Sequence, residues 1–136
     1  MTDRDLTIAL CELLAEELGW SWSLTEPYPA GVVGLFYGSI SETPDRAVGV
    51  RVYGGTDRDE LHERRVQLRF RGARGVVDGA DKLAAIAFAV LDGLPRVGGL
   101  NGIRRESMAP LGADTNDRAE RTDNYVVVLD NEEAAT

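Results

Sequence analysis

From Asp3 to Leu18 apolar residues recur at helical spacing, with Leu6, Ala9, Leu10, Leu13, Leu14 and Leu18 on one face and Asp5, Glu12 and Glu16 opposite. Thr2 or Asp3 can cap this helix, Gly19 can stop it, and Glu17 marks where it leaves the core. Trp20-Ser-Trp-Ser-Leu24 then alternates with a period of two, and Glu26-Pro-Tyr-Pro29 forces an extended connection, because proline disfavours helix at the preceding residue. The alternation next predicts strands over Gly34 to Ile40, Ala47 to Tyr53 and Arg64 to Arg71. Val48, Val50 and Val52 share one face of the second, and Val66, Leu68 and Phe70 one face of the third. Thr43-Pro-Asp45 closes the first gap and the polar, acidic loop Gly54 to Glu60 the second, so the three read as an antiparallel meander.

A second helix is predicted from Gly79 to Leu94, capped by Asp78 and ended by Pro95, with Leu83, Ile86, Ala87, Val90, Leu91 and Leu94 as its stripe. Ala84, Ala85, Phe88 and Ala89 make the rest of its surface apolar too, so it should be covered on more than one side. It is either wedged between the first helix and the sheet or buried against another subunit. A strand from Ile103 to Pro110, a polar loop from Gly112 to Arg121 and a closing strand from Asn124 to Leu129 complete the pattern, and Asn131 to Thr136 read as a frayed, flexible tail. The order α-β-β-β-α-β-β defines an α+β domain over residues 1–130, with two helices on one face of a small mixed or antiparallel sheet.

Composition narrows the function more than the fold. The 136 residues suit one domain, and 43% hydrophobic with 28% charged residues is ordinary for a globular chain. The lone Cys11 cannot form an internal disulfide. No apolar run is long enough to span a membrane and the start lacks the layout of a signal peptide, so the chain is expected to stay soluble where it is made. A net charge of −8 opposes gripping a phosphate backbone.

No catalytic or metal constellation emerges, and no cofactor is expected. The only histidine, His62, reads as a solvated loop residue, and Cys11 as a small buried thiol. Asp114-Thr-Asn-Asp117 lacks the glycine and distal glutamate of a calcium loop, so Asp114, Asn116 and Asp117 read as turn formers. The glycines form no phosphate-binding motif. Trp20 and Trp22 read as core.

One basic concentration stands out, in which alternation places Arg65, Arg69 and Arg71 opposite Val66, Leu68 and Phe70. These arginines suggest a head-to-tail contact with Asp57, Asp59, Glu60 or Glu63 of a neighbouring copy, with Phe88 as an apolar candidate on the second helix.

Three segments stand out together: Ile40-Ser-Glu-Thr-Pro-Asp-Arg-Ala-Val48, Val66-Gln-Leu-Arg-Phe-Arg-Gly72, and Ser107-Met-Ala-Pro-Leu-Gly-Ala-Asp114 continuing through Arg118 and Glu120 to Asn124-Tyr-Val126. In their order and spacing they resemble the minor capsid or tail terminator proteins of long-tailed bacteriophages. The resemblance covers most of the chain from Ile40 onward, with a departure at Asp123, directly before Asn124 and Tyr125. It implies no enzyme chemistry. It implies a hexameric homo-oligomer in the virion tail or neck, assembled in the host cytoplasm, which caps the tail tube, joins it to the head-side stopper or connector and lets DNA pass without specific binding. The alternatives are a head-side stopper or adaptor, and a cytosolic module enclosing a small ligand between helices and sheet.

Overall fold

The structure, a computed structural model, describes residues 1–130, so the tail expected at 131–136 lies outside the described residues. Helix α1 spans Asp3–Leu18. Its first turn is closed reciprocally: Thr2 Oγ1 accepts the Asp5 N–H at 3.0 Å, and the Asp5 carboxylate accepts the Thr2 N–H at 3.1 Å. Gly19 ends the helix at φ 70°, a left-handed conformation that glycine adopts without steric cost.

The strands are β1 (Ser21–Trp22), β2 (Gly34–Tyr37), β3 (Ala47–Asp57), β4 (Leu61–Arg74), β5 (Leu100–Ala113) and β6 (Arg118–Asp130), with helix α2 (Gly79–Leu91) between β4 and β5. They form one sheet in the order β1-β2-β3-β4-β6-β5. The α+β class, the two helices and the mixed sheet are as the apolar periodicity predicts, with the short β1 added where the tryptophans alternate. Both helices share one face, α1 over β1, β2 and β3, and α2 over β4, β6 and β5. The core forms where Leu6, Leu10 and Leu14 of α1 and Leu83, Ala87 and Leu91 of α2 meet Leu35, Val48, Val50, Val66, Leu68, Phe70, Val127 and Leu129 from the sheet. Trp20 and Trp22 pack against this core half-buried.

The structure departs from the periodicity in four places. The expected meander is not fully antiparallel: β2 runs parallel to β3, because the chain leaves β2 at Gly38 (φ 80°) and crosses the sheet instead of reversing beside it. The expected acidic loop Gly54 to Glu60 is mostly strand, since β3 absorbs a register shift at Tyr53 and continues, pairing Thr56 with Glu63 and Asp57 with His62. The expected loop Gly112 to Arg121 shrinks to a turn at Asp114–Asp117. There Asp114 Oδ1 accepts the N–H groups of Asn116 and Arg118, both at 2.9 Å, and Asp117 takes φ 57°. Helix α2 stops at Leu91 rather than Leu94, because Asp92 turns out to accept the Arg105 N–H at 2.7 Å and Gly93 takes φ 72°.

Nor is α2 wedged between layers. It lies beside α1, buries Leu83, Ala84, Ala87 and Leu91, and leaves Ala85, Ile86 and Ala89 exposed. Its first turn sits directly on β4, where a Cβ on Gly72 would lie 2.7 Å from Gly79 Cα, a backbone atom that cannot move aside alone. Gly72→Ala is therefore expected to push α2 off the sheet and lower stability by about 2 kcal/mol, read from the urea midpoint at an unchanged slope.

Candidate interaction surfaces

The face of the sheet away from the helices is polar and is crossed by the segment 38–46 that links β2 to β3. Gly38 and Ile40 pass directly over Gly49, whose missing side chain makes the approach possible. This connection has few partners in regular structure, and its carbonyls are taken up by two arginines. Arg71 Nε donates to Asp45 O at 2.9 Å, and its Nη2 donates to Ser41 O and Pro44 O, both at 2.7 Å. Arg118 Nη1 donates to Glu42 O at 2.9 Å, while its Nε meets Asp114 Oδ2 at 2.8 Å and its Nη2 meets Glu42 Oε2 at 3.2 Å. Arg71 and Arg118 are 5% and 1% exposed, although both belong to a residue type that is almost never buried unless paired. They floor a solvent-open cleft of about 440 Å³, with Arg51, Gln67, Arg69 and Glu120 on its walls. The cleft lies on the open face, not between helices and sheet, where the small-ligand alternative would require it.

The ion pairs set the acid behaviour of this region. Burial pushes the Asp45 carboxyl up, but the hydrogen bonds from Arg74 and Arg118 outweigh it and hold the group below its ordinary range. Asp114 is likewise held low, burial being outweighed by the Arg118 N–H and guanidinium and the Asn116 N–H.

The residues singled out from the sequence are dispersed by the fold. Arg71 is consumed internally, as above. Arg69, on the open face, pairs with Glu120 at 3.1 Å, and Arg65 lies 3.6 Å from Glu63 and 3.7 Å from Glu106. Asp57 accepts from His62 and from Arg64 at 2.7 Å, two contacts that hold its carboxyl low. His62 is thus a strand residue bonded across the β3–β4 hairpin, not a solvated loop histidine. Asp59 and Glu60 are exposed at the turn of that hairpin. Phe88 is half-buried, with the Arg105 guanidinium 4.1 Å from its ring centre. Cys11 is wholly buried, and burial, reinforced by Glu12, pushes its thiol up to about 12, which leaves it inert at neutral pH.

Sequence reasoning missed a third buried charge. Asp123, on the inner face of β6, is fully buried and receives Arg121 Nε at 2.8 Å and Arg105 Nη1 at 3.4 Å beneath α2. It also missed the exposed apolar surface around the far end of β5. Val77 is 91% exposed and Met108 55%, and a notch of about 260 Å³ runs between Val76, Val77, Ala80, Pro110 and Ala119. Their signal was available, since Ser107 to Ala113 carries no charge, but an uncharged run reads equally well as a buried strand. Among the described residues no group of three or more His, Cys, Asp or Glu converges on a metal position, and no helix is long and apolar enough to cross a membrane.

The α+β domain thus commits its buried polar interactions to its own crossover and leaves apolar surface uncovered at a strand edge and a helix face. Residues 16–131 match the family described as "Bacteriophage tail terminator protein", and the chain belongs to that family of structural phage tail proteins. No curated protein matches the chain.

Two predictions concern the crossover. Arg118→Met should leave Asp114 and the Glu42 carbonyl without their donor and lower stability by about 3 kcal/mol in denaturant melts. Because the Asp45 and Asp114 carboxyls are held low in the folded chain, their contribution is complete above the unfolded carboxylate pKa of about 3.9 and is lost as pH falls through the folded values. Melting temperatures of the native chain should therefore fall steeply below that pH, and those of Arg118→Met less steeply.

Proposed function

We propose that this chain is a ring-forming tail terminator subunit that ends the phage tail tube and joins it to the head-side connector. The observation that carries the reading is apolar surface left open on an otherwise closed fold: Ile86 with Ala85 and Ala89 on α2, and Val77 with Met108 beyond it. A monomer gains nothing from this surface, and neighbours in a particle would cover it. The family match supports the tail setting, from which a site in the virion tail or neck and assembly in the host cytoplasm follow. A ring of six fits the resemblance drawn from the motifs.

Within that reading the solvent-facing members of the charged set are contacts to partner subunits: Arg65 and Arg69 on the open face, and Asp59 and Glu60 at the β3–β4 turn. Asp57, Arg71 and Phe88 contribute by holding those elements in place. DNA passes without a specific grip, because Arg69, Arg74, Arg118 and Arg121 are each matched by a carboxylate of the same chain and the net charge is −8.

Purified chain mixed with purified tail tubes and imaged provides the test. Rings at the tube ends support the proposal, and a chain that stays monomeric and never associates with tubes overturns it. The double substitution Asp59→Lys, Glu60→Lys is expected to slow capping about tenfold, with a weaker salt dependence. The stability of the isolated chain should change by no more than about 0.5 kcal/mol, since both positions are exposed.

A further inference from the structure

The two edges of the sheet are unlike, and each is incomplete in a way that the other could complete. At one edge, β1 has only two residues; the Ser21 N–H points inward to Val33 O at 2.9 Å, so by alternation the Trp22 peptide groups point away from the sheet. From Leu18 to Thr25 the chain carries no charge, and Leu24 is 49% exposed.

At the other edge, the near half of β5 is closed by the chain itself. Ile103 O accepts the Gly93 N–H at 2.9 Å, and the Arg105 N–H is taken by Asp92. Beyond Arg105 nothing comparable follows: every residue from Glu106 to Ala113 is exposed, and from Ser107 onward none is charged. Natural sheet edges of this kind are usually guarded by charge, bulges or proline. Here the guards are register shifts at Arg105/Ser107 and Pro110/Gly112, and Pro110 itself, which has no N–H to offer. What they leave open is a segment of unbroken register, Ser107–Ala109, long enough for a short strand and too short for a long one.

We propose that Ser107–Ala109 of one copy takes up the Ser21–Trp22 edge of the next, so that the sheets of successive copies join head to tail. The inference rests on the ring reading and specifies its contact. The length limit favours this pairing over β5 against β5 of a second copy, which would need a long straight edge about a two-fold axis. In this register Trp22 faces Met108, and no residue from Leu18 to Thr25 or from Ser107 to Ala113 is charged. The two edges lie about 24 Å apart, five strand spacings, so one subunit can use both at once, as a closed heterologous ring requires.

Full-length chains bearing Ser21→Cys, Ala109→Cys or both would be oxidised on tail tubes and resolved without reductant, with the buried Cys11 retained as a silent internal thiol. A second pair, Ser23→Cys with Ser107→Cys, guards against one pair perturbing the fold. The expected result is a ladder of covalent multimers from either double variant, dimers and nothing larger from a mixture of the two singles, and monomers from each single alone. Dimers from Ala109→Cys alone would overturn the proposal in favour of a two-fold contact. Absence of crosslinks in both double variants, on tubes that are still capped, would overturn it and leave the terminator reading intact. A native chain that never associates with tubes or with itself would remove both.

Discussion

The parallel pairing of β2 with β3 is the constraint on which the rest of this molecule hangs. Two parallel neighbours need a connection that travels back along the sheet, and such connections usually carry a helix that satisfies its own backbone. Here the connection is only residues 38–46, with no helix in it. Its carbonyls would be buried and orphaned on the open face without Arg71 and Arg118, and the planar, multiply donating guanidinium suits that task as a lysine would not. Removing the latch would free more than a loop, because β2 carries β1 at its outer edge and α1 packs on both.

What could be read in advance follows from the range of the interactions involved. Periodicity reports the local contest between core and solvent, so α1, α2 and the apolar halves of β3, β4 and β6 were legible, as was the α+β class. The tail terminator resemblance was legible from the order of three motifs, and the family match agrees with it. Strand direction and the buried arginines were not legible, because each depends on partners far along the chain: Arg71 meets carbonyls 26 to 30 residues away, and Arg118 meets Glu42 76 residues away. A basic residue beside Asp114 and Asp117 looks like part of a solvated turn until the crossover is laid over it. Polar stretches such as Gly54 to Asp57 and Arg118 to Thr122 failed for the opposite reason. Cross-strand pairing, not apolar alternation, keeps them in the sheet.

Asp123 shows the same logic on the inner face. Toward its end β6 turns apolar residues inward, Tyr125, Val127 and Leu129, but toward its start it turns Asp123 and Arg121 to the same side. There the pair of arginines on Asp123 fills the space beneath α2 with charge rather than hydrocarbon: Arg121 also reaches Asp81 of α2, and Arg105 lies over Phe88. A buried ion cluster is seldom better for stability than a hydrocarbon core of equal volume, but its geometry is far less forgiving. It therefore fixes the angle at which α2 meets the sheet. The departure at Asp123 from the family's motif is thus an interior matter.

The excess acidity is also unevenly placed. On the open face the arginines of β4 and β6 are answered within the chain, and Arg51 and Arg104 add further exposed cations, so that face is far from uniformly negative. On the helical side Glu12, Glu16 and Glu17 are exposed along the second half of α1, whose last turn carries no basic residue. Carboxylates at the negative end of a helix dipole weaken the helix slightly, so local stability does not account for them. Their field adds negative potential to the helical layer, while the charges of the open face are more evenly balanced. The chain is therefore electrically two-sided as well as structurally two-layered, and any assembly built from it inherits that distinction.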